Sequence, residues 1–337
     1  MLQVTLETPG RFARADTRVP APIEGGALVR VHRIGVCGTD LHAFRGRQPF
    51  FSYPRVLGHE LGVEIVQPGA AAGTLRPGDR CAVEPYLNCG TCIACRHGRP
   101  NCCGSLSVLG VHQDGGMREL MAVPPEKLHP SSRLSYEQLA LVETLAIGAH
   151  AVERADLRAG EFALVIGAGP IGVSVVQFAR AAGARVAVVD TSAARLELCR
   201  RLWNVDCTID GRSATAEAQV REAGGGDLPS VVFDATGNAQ SMGAAFRWPC
   251  AGGRLVFVGL VQGDITFNDP DFHRRELTLL ATRNAKPESF RAIIEAVESG
   301  RIDTAPWITH RLGLGDVPAE FAAMAEAPDL FKGMIAV

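Results

Sequence analysis

Short apolar runs separated by glycine and proline occupy about the first 145 residues of the chain. In ALVRVHRIGV (27–36) and GVEIVQPG (62–69), apolar and polar positions alternate. Alternation with a period of two is typical of strands that bury one face, and glycines and prolines between such runs are typical of turns. The pattern therefore predicts an irregular, β-rich region at the start of the chain.

The pattern changes in the middle of the chain, where apolar runs alternate with segments of helical spacing. FALVI precedes the helical VSVVQFARAAGA, RVAVVD precedes TSAARLELCRRL, and further strand-like runs follow at PSVVFDATG, GRLVFVGL and LTLLAT. Alternating strands and helices predict a parallel, doubly wound sheet of the α/β class. A last helix is predicted at ESFRAIIEAVESG.

Composition places the chain among globular proteins, because 47% of its residues are hydrophobic and 21% are charged. The net charge of −2 gives no overall attraction to nucleic acid or to an anionic membrane. No apolar run reaches the ~18 residues that span a bilayer, and the N-terminus lacks the basic start and apolar core of a signal peptide. We therefore expect a cytoplasmic protein that has neither a nucleic acid nor a membrane as partner.

Five of the ten cysteines lie in CGTCIACRHGRPNCC, called here the cysteine cluster (residues 89–103). Cys89, Cys92 and Cys95 are spaced so that three thiolates can converge on one ion. Either Cys102 or Cys103 can complete a tetrahedral zinc site. A site made only of cysteines has no open position, so we expect this metal to be structural.

Other interpretations of the cysteine cluster fit the spacing less well. An iron–sulfur run continues with a fourth cysteine and a proline at closer spacing. A DNA-binding zinc module needs a broader basic surface than Arg96, His97 and Arg99 provide, and free thiols in a loop would be exposed to oxidation. The isolated cysteines in apolar segments are expected to be small core residues: Cys199, Cys207 and Cys250.

A second set of metal ligands is predicted upstream, in GVCGTDLH (35–42) and LGHELGVE (57–64). Cys37 and His59, with Glu60 or the distant Glu143, would give the mixed ligands of a catalytic zinc with one open position. The alternative is that Cys37 is a buried thiol and His59 a hydrogen-bonded turn residue.

Three polar neighbours support the metal interpretation. Asp40 can accept the second N–H of a zinc-bound histidine. Thr39 and His42 can carry a proton from a bound alcohol to solvent. His42 can equally be a solvent-facing loop residue.

A nucleotide-binding turn is predicted where FALVI meets GAGPIG. Gly167 allows the tight turn, Gly169 lets the backbone approach a pyrophosphate, and Gly172 permits close helix–strand packing. The helix N-terminus at Pro170 and Ile171 would then face the phosphates.

Asp190 ends the next strand, where a carboxylate binds the adenosine ribose diol and repels a 2′-phosphate. This carboxylate favours NAD over NADP. Arg195 is a nearby cation that weakly favours NADP instead. Ligands dock at the carboxyl ends of strands in such sheets, which adds four cofactor candidates: Thr236, Gly237, Val258 and Gly259.

Over its whole length the chain resembles the zinc-dependent medium-chain dehydrogenases, and the polyol dehydrogenases in particular. The resemblance rests on GVCGTD, GHE, the cysteine cluster, GAGPIG and Asp190, in that order. It implies a GroES-like catalytic domain with both zinc sites at 1–148 and an NAD-binding Rossmann domain at 149–283. Residues 284–337 would return to the catalytic domain, and the reaction would take place in the cleft between the domains.

The resemblance also implies residue roles. The family spacing of the cysteine cluster selects Cys103 as the fourth ligand and leaves Cys102 as a bystander. The catalytic zinc carries over onto Cys37 and His59 with either Glu60 or Glu143, which makes two zinc ions per chain. Thr144 stands where relatives usually have a proline after that glutamate. The family is often dimeric or tetrameric, so we expect a homo-oligomer.

Finer resemblance points to L-galactonate oxidoreductases, which oxidise C5 of an aldonate. It rests on RGRQPFFSYPRVLGHE, NCCGSLSVLGVHQDGGMREL and DPDFHRRELTLLATRN. Polyol dehydrogenases contact substrate hydroxyls with an arginine at the position of Arg283. The cations that can pair with a substrate carboxylate, or can equally be surface charges, are Arg45, Arg47, His112, Arg118 and Arg283.

The predicted reaction is NAD-dependent oxidation of a secondary alcohol in a sugar acid or polyol. A zinc-bound hydroxyl would lose its proton and a hydride would pass to the nicotinamide. The first alternative is an L-threonine dehydrogenase or another alcohol or polyol dehydrogenase. The second, a non-enzymatic NAD or zinc sensor, is disfavoured because Cys37, Thr39, Asp40 and His59 are all present.

Overall fold

A computed structural model describes residues 1–20, 25–48 and 51–337. Residues 49 and 50, in the segment RGRQPFFSYPRVLGHE, lie outside the described residues. The chain forms two compact units, of which the first joins Met1–Thr144 with Lys286–Val337 and the second is Leu145–Ala285. One boundary therefore falls inside a helix, whereas the sequence placed it after residue 148.

The first unit is built on a mostly antiparallel sheet. Its strand order is β16-β17-β3-β4-β5-β9, and β8 also pairs with β3. The elements up to the boundary are β1 (Leu2–Thr8), β2 (Arg11–Asp16), β3 (Ala27–Val36), α1 (Gly38–Phe44), β4 (Glu60–Gln67), β5 (Arg80–Val83), β6 (Tyr86–Leu87), α2 (Ile93–Arg96), β7 (Ser107–Val108), β8 (Leu120–Val123), β9 (Leu128–Pro130) and α3 (Tyr136–Arg154).

The predicted alternation places β3 in the core of this sheet. Val29 and Val31 are buried and Arg30 is exposed, as a period of two requires. The register shifts between Val31 and Arg33, which brings Ile34 to the buried side. β3 runs antiparallel to β4 in a register that sets Gly35 opposite Glu60. This register sets the first residue of one predicted ligand motif opposite Glu60 of the other.

The second unit is a parallel sheet with strand order β12-β11-β10-β13-β14-β15. This is the doubly wound order of dinucleotide-binding folds, so the predicted fold class is confirmed. Its elements are β10 (Phe162–Ile166), α4 (Pro170–Ala181), β11 (Arg185–Asp190), α5 (Ala193–Trp203), β12 (Cys207–Asp210), α6 (Ala216–Ala223), β13 (Val231–Asp234), α7 (Ala239–Ala244), β14 (Arg254–Phe257), α8 (Asp269–Arg274) and β15 (Thr278–Ala281).

The C-terminal segment belongs to the first unit. Strand β17 pairs antiparallel with β3 and parallel with β16, so the end of the chain forms an inner strand of the first sheet, next to its edge. The elements of this segment are α9 (Pro287–Glu298), β16 (His310–Gly313), α10 (Val317–Glu326) and β17 (Gly333–Ala336).

The isolated cysteines differ in how far they are buried. Cys199 is fully buried, as expected, but Cys207 and Cys250 are only half-buried, because both lie near the ends of their segments.

Among the described residues, none of the helices combines the length and the apolar character needed to cross a bilayer.

Candidate functional site

Cys37, His59 and Glu60 form the buried ligand group, whose potential ligand atoms all lie within 4.8 Å of one another. Cys37 follows β3 directly, and Glu60 begins β4. The register of the two strands requires glycine opposite Glu60, since a Cβ on Gly35 would lie 2.0 Å from Glu60 Oε2. The local fold thus gathers a thiol, an imidazole and a carboxylate, a ligand set that suits zinc.

Asp40 is bonded to one member of the buried ligand group and lies beside another. Its Oδ2 accepts the backbone N–H of Cys37 at 2.8 Å, and its Oδ1 lies 3.7 Å from His59 Nδ1. Neither Asp40 Oδ1 nor His59 Nδ1 has a hydrogen-bond partner, although both atoms are buried. Burial raises the pKa of Asp40, and the nearby His59 opposes that shift. This arrangement leaves His59 Nε2 as the nitrogen available to a metal, so the residues fit zinc.

Lys332 is a member of the site that the sequence analysis missed. Its Nζ donates to Glu60 Oε1 at 2.5 Å and to Thr144 Oγ1 at 3.0 Å. Burial alone would lower the pKa of Lys332, but attraction to Glu60 and Cys37 raises it above its usual value. Thr144 therefore supplies an oxygen acceptor that a proline at this position would lack. Lys332 lies 272 positions from Glu60, so no local motif connects them.

Glu143, the alternative carboxylate, lies on α3 and is buried, but it is not part of the buried ligand group. Tyr86 donates its hydroxyl proton to Glu143 Oε1. Burial raises the pKa of Glu143, with His59 opposing the shift. Burial and then the charge of Glu143 raise the pKa of Tyr86 well above its usual range, so the hydroxyl remains a donor. The sequence analysis did not identify Tyr86.

Thr39 and His42 both lie on α1, three positions apart and therefore on one face of the helix. Thr39 is half-buried and His42 is exposed. The pair thus leads from beside the buried ligand group toward solvent, which is the direction that the predicted proton path needs.

The cysteine cluster forms a second ligand group. The four sulfur atoms of Cys89, Cys92, Cys95 and Cys103 lie within 4.8 Å of one another. Cys102 is exposed and is not in this group. Backbone N–H groups point at the sulfurs, from Cys92 to Cys89 at 3.4 Å and from Ser105 to Cys103 at 3.3 Å.

The thiols of the cysteine cluster differ in acidity. The backbone N–H of Cys92 is the main cause that lowers the pKa of Cys89, to about 6. Burial raises the pKa of Cys95 to about 11. A metal binds thiolates, so zinc would displace the remaining protons and add its binding free energy to folding.

The glycine-rich turn has the geometry of a phosphate site. A Cβ on Gly172 would lie 1.8 Å from the carbonyl oxygen of Gly167, so only glycine fits there. Gly169 is the N-cap of α4, and Pro170 and Ile171 form the first turn of the helix. A Cβ on Gly169 would meet only Arg195 Nη1, at 3.7 Å. The helix N-terminus is therefore open to an anion on this side.

Asp190 lies at the end of β11, beside this turn. Its Oδ2 accepts the N–H of Ala168 at 2.6 Å and its Oδ1 accepts the N–H of Ser192 at 2.7 Å. Both oxygens keep a lone pair for a further donor. Arg195 lies on α5, as the sequence indicated, and its side chain reaches Gly169.

The other predicted cofactor residues meet at the ends of the neighbouring strands β13 and β14. Asp234 accepts from the N–H and the hydroxyl of Thr236, at 2.9 and 2.6 Å. The N–H groups of Val258 and Gly259 both donate to Asp234 O at 2.9 Å. A Cβ on Gly259 would lie 2.3 Å from the backbone nitrogen of Gly237. The fully buried Asp234, which the sequence analysis did not single out, therefore organises both turns.

The predicted substrate residues are placed in different units. His112 is exposed in the first unit, and its Nδ1 accepts the N–H of Val108 at 3.1 Å, which leaves Nε2 as the donor. Arg283 is exposed in the second unit, two residues after β15. Arg45, another candidate, donates to Ala325 O at 2.8 Å and so contributes to packing.

Comparison with known proteins supports a common family. Residues 23–133 match the family described as alcohol dehydrogenase GroES-like domain, and residues 170–299 match zinc-binding dehydrogenase. The L-galactonate-5-dehydrogenase of Escherichia coli K12 is 41% identical over 337 residues, covering 98% of this chain and 97% of that protein.

Two solved structures are similar over the whole chain. An alcohol dehydrogenase of Escherichia coli CFT073 in complex with NADH has a TM-score of 0.92 at 27% identity, covering 100% of this chain and 99% of that one. A zinc-binding dehydrogenase of Sinorhizobium meliloti 1021 bound to NADP has a TM-score of 0.91 at 30% identity, with the same coverage. With the two ligand groups and the glycine-rich turn, these matches show that the protein is an NAD(P)-linked zinc oxidoreductase, and the chain belongs to the zinc-dependent medium-chain dehydrogenases.

Proposed function

We propose that this enzyme oxidises a secondary alcohol of a sugar acid, with L-galactonate as the first substrate to test. The observation that carries the proposal is the buried ligand group of Cys37, His59 and Glu60, held by Asp40 and Lys332. The 41% identity to an L-galactonate-5-dehydrogenase supports the sugar-acid class.

The residues of the first unit have distinct roles in this proposal. Cys37, His59 and Glu60 would hold zinc, which supplies a Lewis acid that polarises the alcohol oxygen of the substrate. Asp40 orients His59 and Cys37. Thr39 would take up the alcohol proton while giving its own hydroxyl proton to His42, which would pass a proton to solvent.

The second unit would hold the cofactor. The N-terminus of α4 at Gly169 and Pro170 binds the pyrophosphate, and Asp190 accepts from the ribose hydroxyls. The turns at Thr236 and Gly237 and at Val258 and Gly259 flank the same sheet edge. Bound in this way, the cofactor would present its nicotinamide for hydride transfer.

We propose NAD as the preferred cofactor, because Asp190 repels a 2′-phosphate. Arg195 beside Gly169 is the residue that can accept that phosphate instead. Asp190→Ala should raise kcat/KM for NADP relative to NAD. Arg195→Ala is the matched control and should not raise this ratio. Equal kcat/KM for NAD and NADP in the unmodified enzyme would contradict the proposal.

The substrate is tested by NADH formation with L-galactonate, other aldonates, neutral polyols, L-threonine and simple alcohols. We expect the largest kcat/KM for an aldonate. Polyols that react equally well would reject the sugar-acid class but keep the dehydrogenase. The best rate with L-threonine would support the first alternative, and no reaction with any alcohol would support a sensor.

Arg283 is the proposed partner of the substrate carboxylate. Charge-assisted hydrogen bonds contribute about 1.5–3 kcal/mol, so Arg283→Ala should lower kcat/KM for an aldonate roughly 10- to 100-fold. A neutral polyol should lose much less. His112→Ala is the parallel variant in the first unit. Equal losses for aldonate and polyol would assign Arg283 to hydroxyl or cofactor binding.

A homo-oligomer is also proposed. β15 is the last strand of its sheet, and Thr278, Leu279 and Ala281 on it are exposed. An exposed edge strand with apolar side chains is suited to pairing with a second copy. Light scattering should show a dimer or tetramer, and Leu279→Arg should shift it toward the monomer. A monomer at micromolar concentration would reject this assembly.

The cytoplasmic location stays a prediction.

A further inference from the structure

Two acidic side chains were predicted as alternative ligands of the catalytic metal, and each has its own hydrogen-bond donor. Glu60 lies in the buried ligand group and is bonded to Lys332. Glu143 lies outside that group and is bonded to Tyr86. The donors come from separate elements, Lys332 from just before β17 and Tyr86 from β6. Which carboxylate reaches the metal therefore depends on where these two donors are fixed.

Tyr86 is held firmly on its strand. It pairs with Val108 of β7, and its ring meets Phe290 edge-on, with 6.2 Å between the centroids. Phe290 in turn stacks against His129 at 5.0 Å. The ring is 3% exposed. A rigid, buried ring cannot follow Glu143 if that side chain turns toward a metal.

The residues on either side of Tyr86 are anchored as well. Two positions earlier, Glu84 accepts from Lys127 Nζ at 2.5 Å. Two positions later, Asn88 accepts from the same Nζ at 3.1 Å and donates to Cys95 Sγ at 3.7 Å. The segment from Glu84 to Asn88 is therefore tied to a buried cation and to the cysteine cluster.

We propose that Tyr86 is a positioning residue that holds Glu143 out of the ligand set of Cys37, His59 and Glu60. The inference rests on the proposed function and deepens it. A thiolate, an imidazole and two carboxylates would complete four-coordination and close the site. By occupying Glu143 Oε1, the hydroxyl of Tyr86 keeps one position open for the substrate oxygen.

The test uses the full-length enzyme with cobalt exchanged for the catalytic zinc while zinc stays in the cysteine cluster, verified by metal analysis. Cobalt reports coordination number through its visible absorption. In Tyr86→Phe the ring and its contact with Phe290 remain, and only the hydroxyl is lost. We expect the substrate-free spectrum to change, because a carboxylate oxygen of Glu143 takes the fourth position that water would otherwise fill.

Two further readouts accompany the spectrum. Changes at residues that orient metal ligands typically alter metal affinity or activity about 10- to 100-fold. In Tyr86→Phe we expect slower loss of catalytic metal to a chelator by about that factor. We expect KM for the alcohol to rise by a similar factor while kcat changes little, because Glu143 and the substrate oxygen compete for one position. An unchanged cobalt spectrum, or faster metal loss, would overturn the proposal.

Tyr136→Phe is the matched control, because Tyr136 donates to Glu64 Oε2 at 3.1 Å in the same unit but outside the site. It should change neither the spectrum nor the metal loss. Glu143→Gln tests the inference independently of Tyr86. Its cobalt spectrum should match that of the unmodified enzyme, because Glu143 is not a resting ligand. A changed spectrum in Glu143→Gln would overturn the proposal.

The double variant Tyr86→Phe/Glu143→Gln separates a positioning role from a structural one. The amide is a weak ligand, so the double variant should recover the unmodified cobalt spectrum. If the enzyme oxidises no alcohol, the proposed function fails, but the spectra still show whether Tyr86 controls Glu143. If it oxidises alcohols and the spectra do not change, only the role of Tyr86 fails.

Discussion

The two ligand groups of the first unit differ in how they are held. The cysteine cluster is largely exposed, takes its ligands from residues 89–103, and is supported by backbone N–H groups of the same loop. The buried ligand group takes its residues from the ends of two neighbouring strands. It is supported by the nearby Asp40 and by Lys332, which lies 272 positions from Glu60, while Tyr86 holds the neighbouring Glu143. A closed site needs only its own loop, whereas an open site needs the fold to keep competing groups away.

The largest expected effect is removal of the cysteine cluster's metal. Zinc binding contributes about 10–16 kcal/mol in small zinc-dependent peptides, so Cys89→Ser should unfold the loop and lower zinc content from about two to about one per chain. Metal analysis and limited proteolysis of residues 89–103 measure both effects. Cys102→Ser is the control and should neither unfold the loop nor lower the zinc content. Loss of metal in Cys102→Ser, but not in Cys103→Ser, would show that the ligand assignment is wrong.

Removing a ligand from the buried ligand group should lower activity but leave the cysteine cluster folded and loaded with zinc. Cys37→Ser should lower kcat/KM on the order of 10³-fold or more, because a Lewis acid supplies several kcal/mol of stabilisation. The cysteine cluster should keep its zinc, and the loop of residues 89–103 should stay resistant to protease. A variant that also loses the second zinc would show that the two groups are not separate.

The sequence predicted the cysteine cluster better than the surroundings of the buried ligand group. Cys89, Cys92 and Cys95 lie on one short loop, so their spacing alone indicated the site, although selecting Cys103 required the family resemblance. Cys37 and His59 were also predicted from local motifs. Lys332 and Tyr86 were not, because their partners are set by strand pairing and not by distance along the chain.

The same physics explains which parts of the fold were predictable. Strand β10 is apolar throughout and β11 has an apolar centre at 186–189, so both gave clear signals. The edge strand β12 and the helix α6 were missed, since CTID is short and Val220 is the one large apolar residue of α6. The role of Thr144 was also invisible, because it depends on the position of Lys332.

Lys332→Met sharpens the comparison by removing a support from the buried ligand group. Breaking a buried ion pair typically costs about 3–5 kcal/mol, and both partners here are at most 2% exposed. The metal-free variant should therefore be strongly destabilised. Zinc should restore much of the loss, because it becomes the partner of Glu60. Melting temperatures with and without zinc measure this difference.

Lys127→Met is the matched control, since Lys127 and Glu84 form another buried pair at 2.5 Å in the same unit. It should lose similar stability without recovery in zinc. If zinc stabilises both variants equally, the rescue is not specific to Glu60.

The smallest expected effect concerns a surface pair, Glu137 and Arg311, whose side chains are 29% and 58% exposed. The hydrogen bond from Arg311 lowers the pKa of Glu137, and Arg33 lies 3.7 Å away on the same side. A lowered carboxyl pKa means that the stabilisation is present above the unfolded pKa and disappears as the pH falls through the folded pKa.

Glu137→Gln should therefore cost about 0.2–1 kcal/mol at pH 7. Its effect should begin to decrease as the pH falls to about 4 and should vanish below the lowered pKa of Glu137. Urea unfolding at both pH values measures it, and 1 M salt should reduce it. A loss that stays constant with pH would mean that the side chain contributes packing and not charge, unlike the buried pair of Lys332 and Glu60.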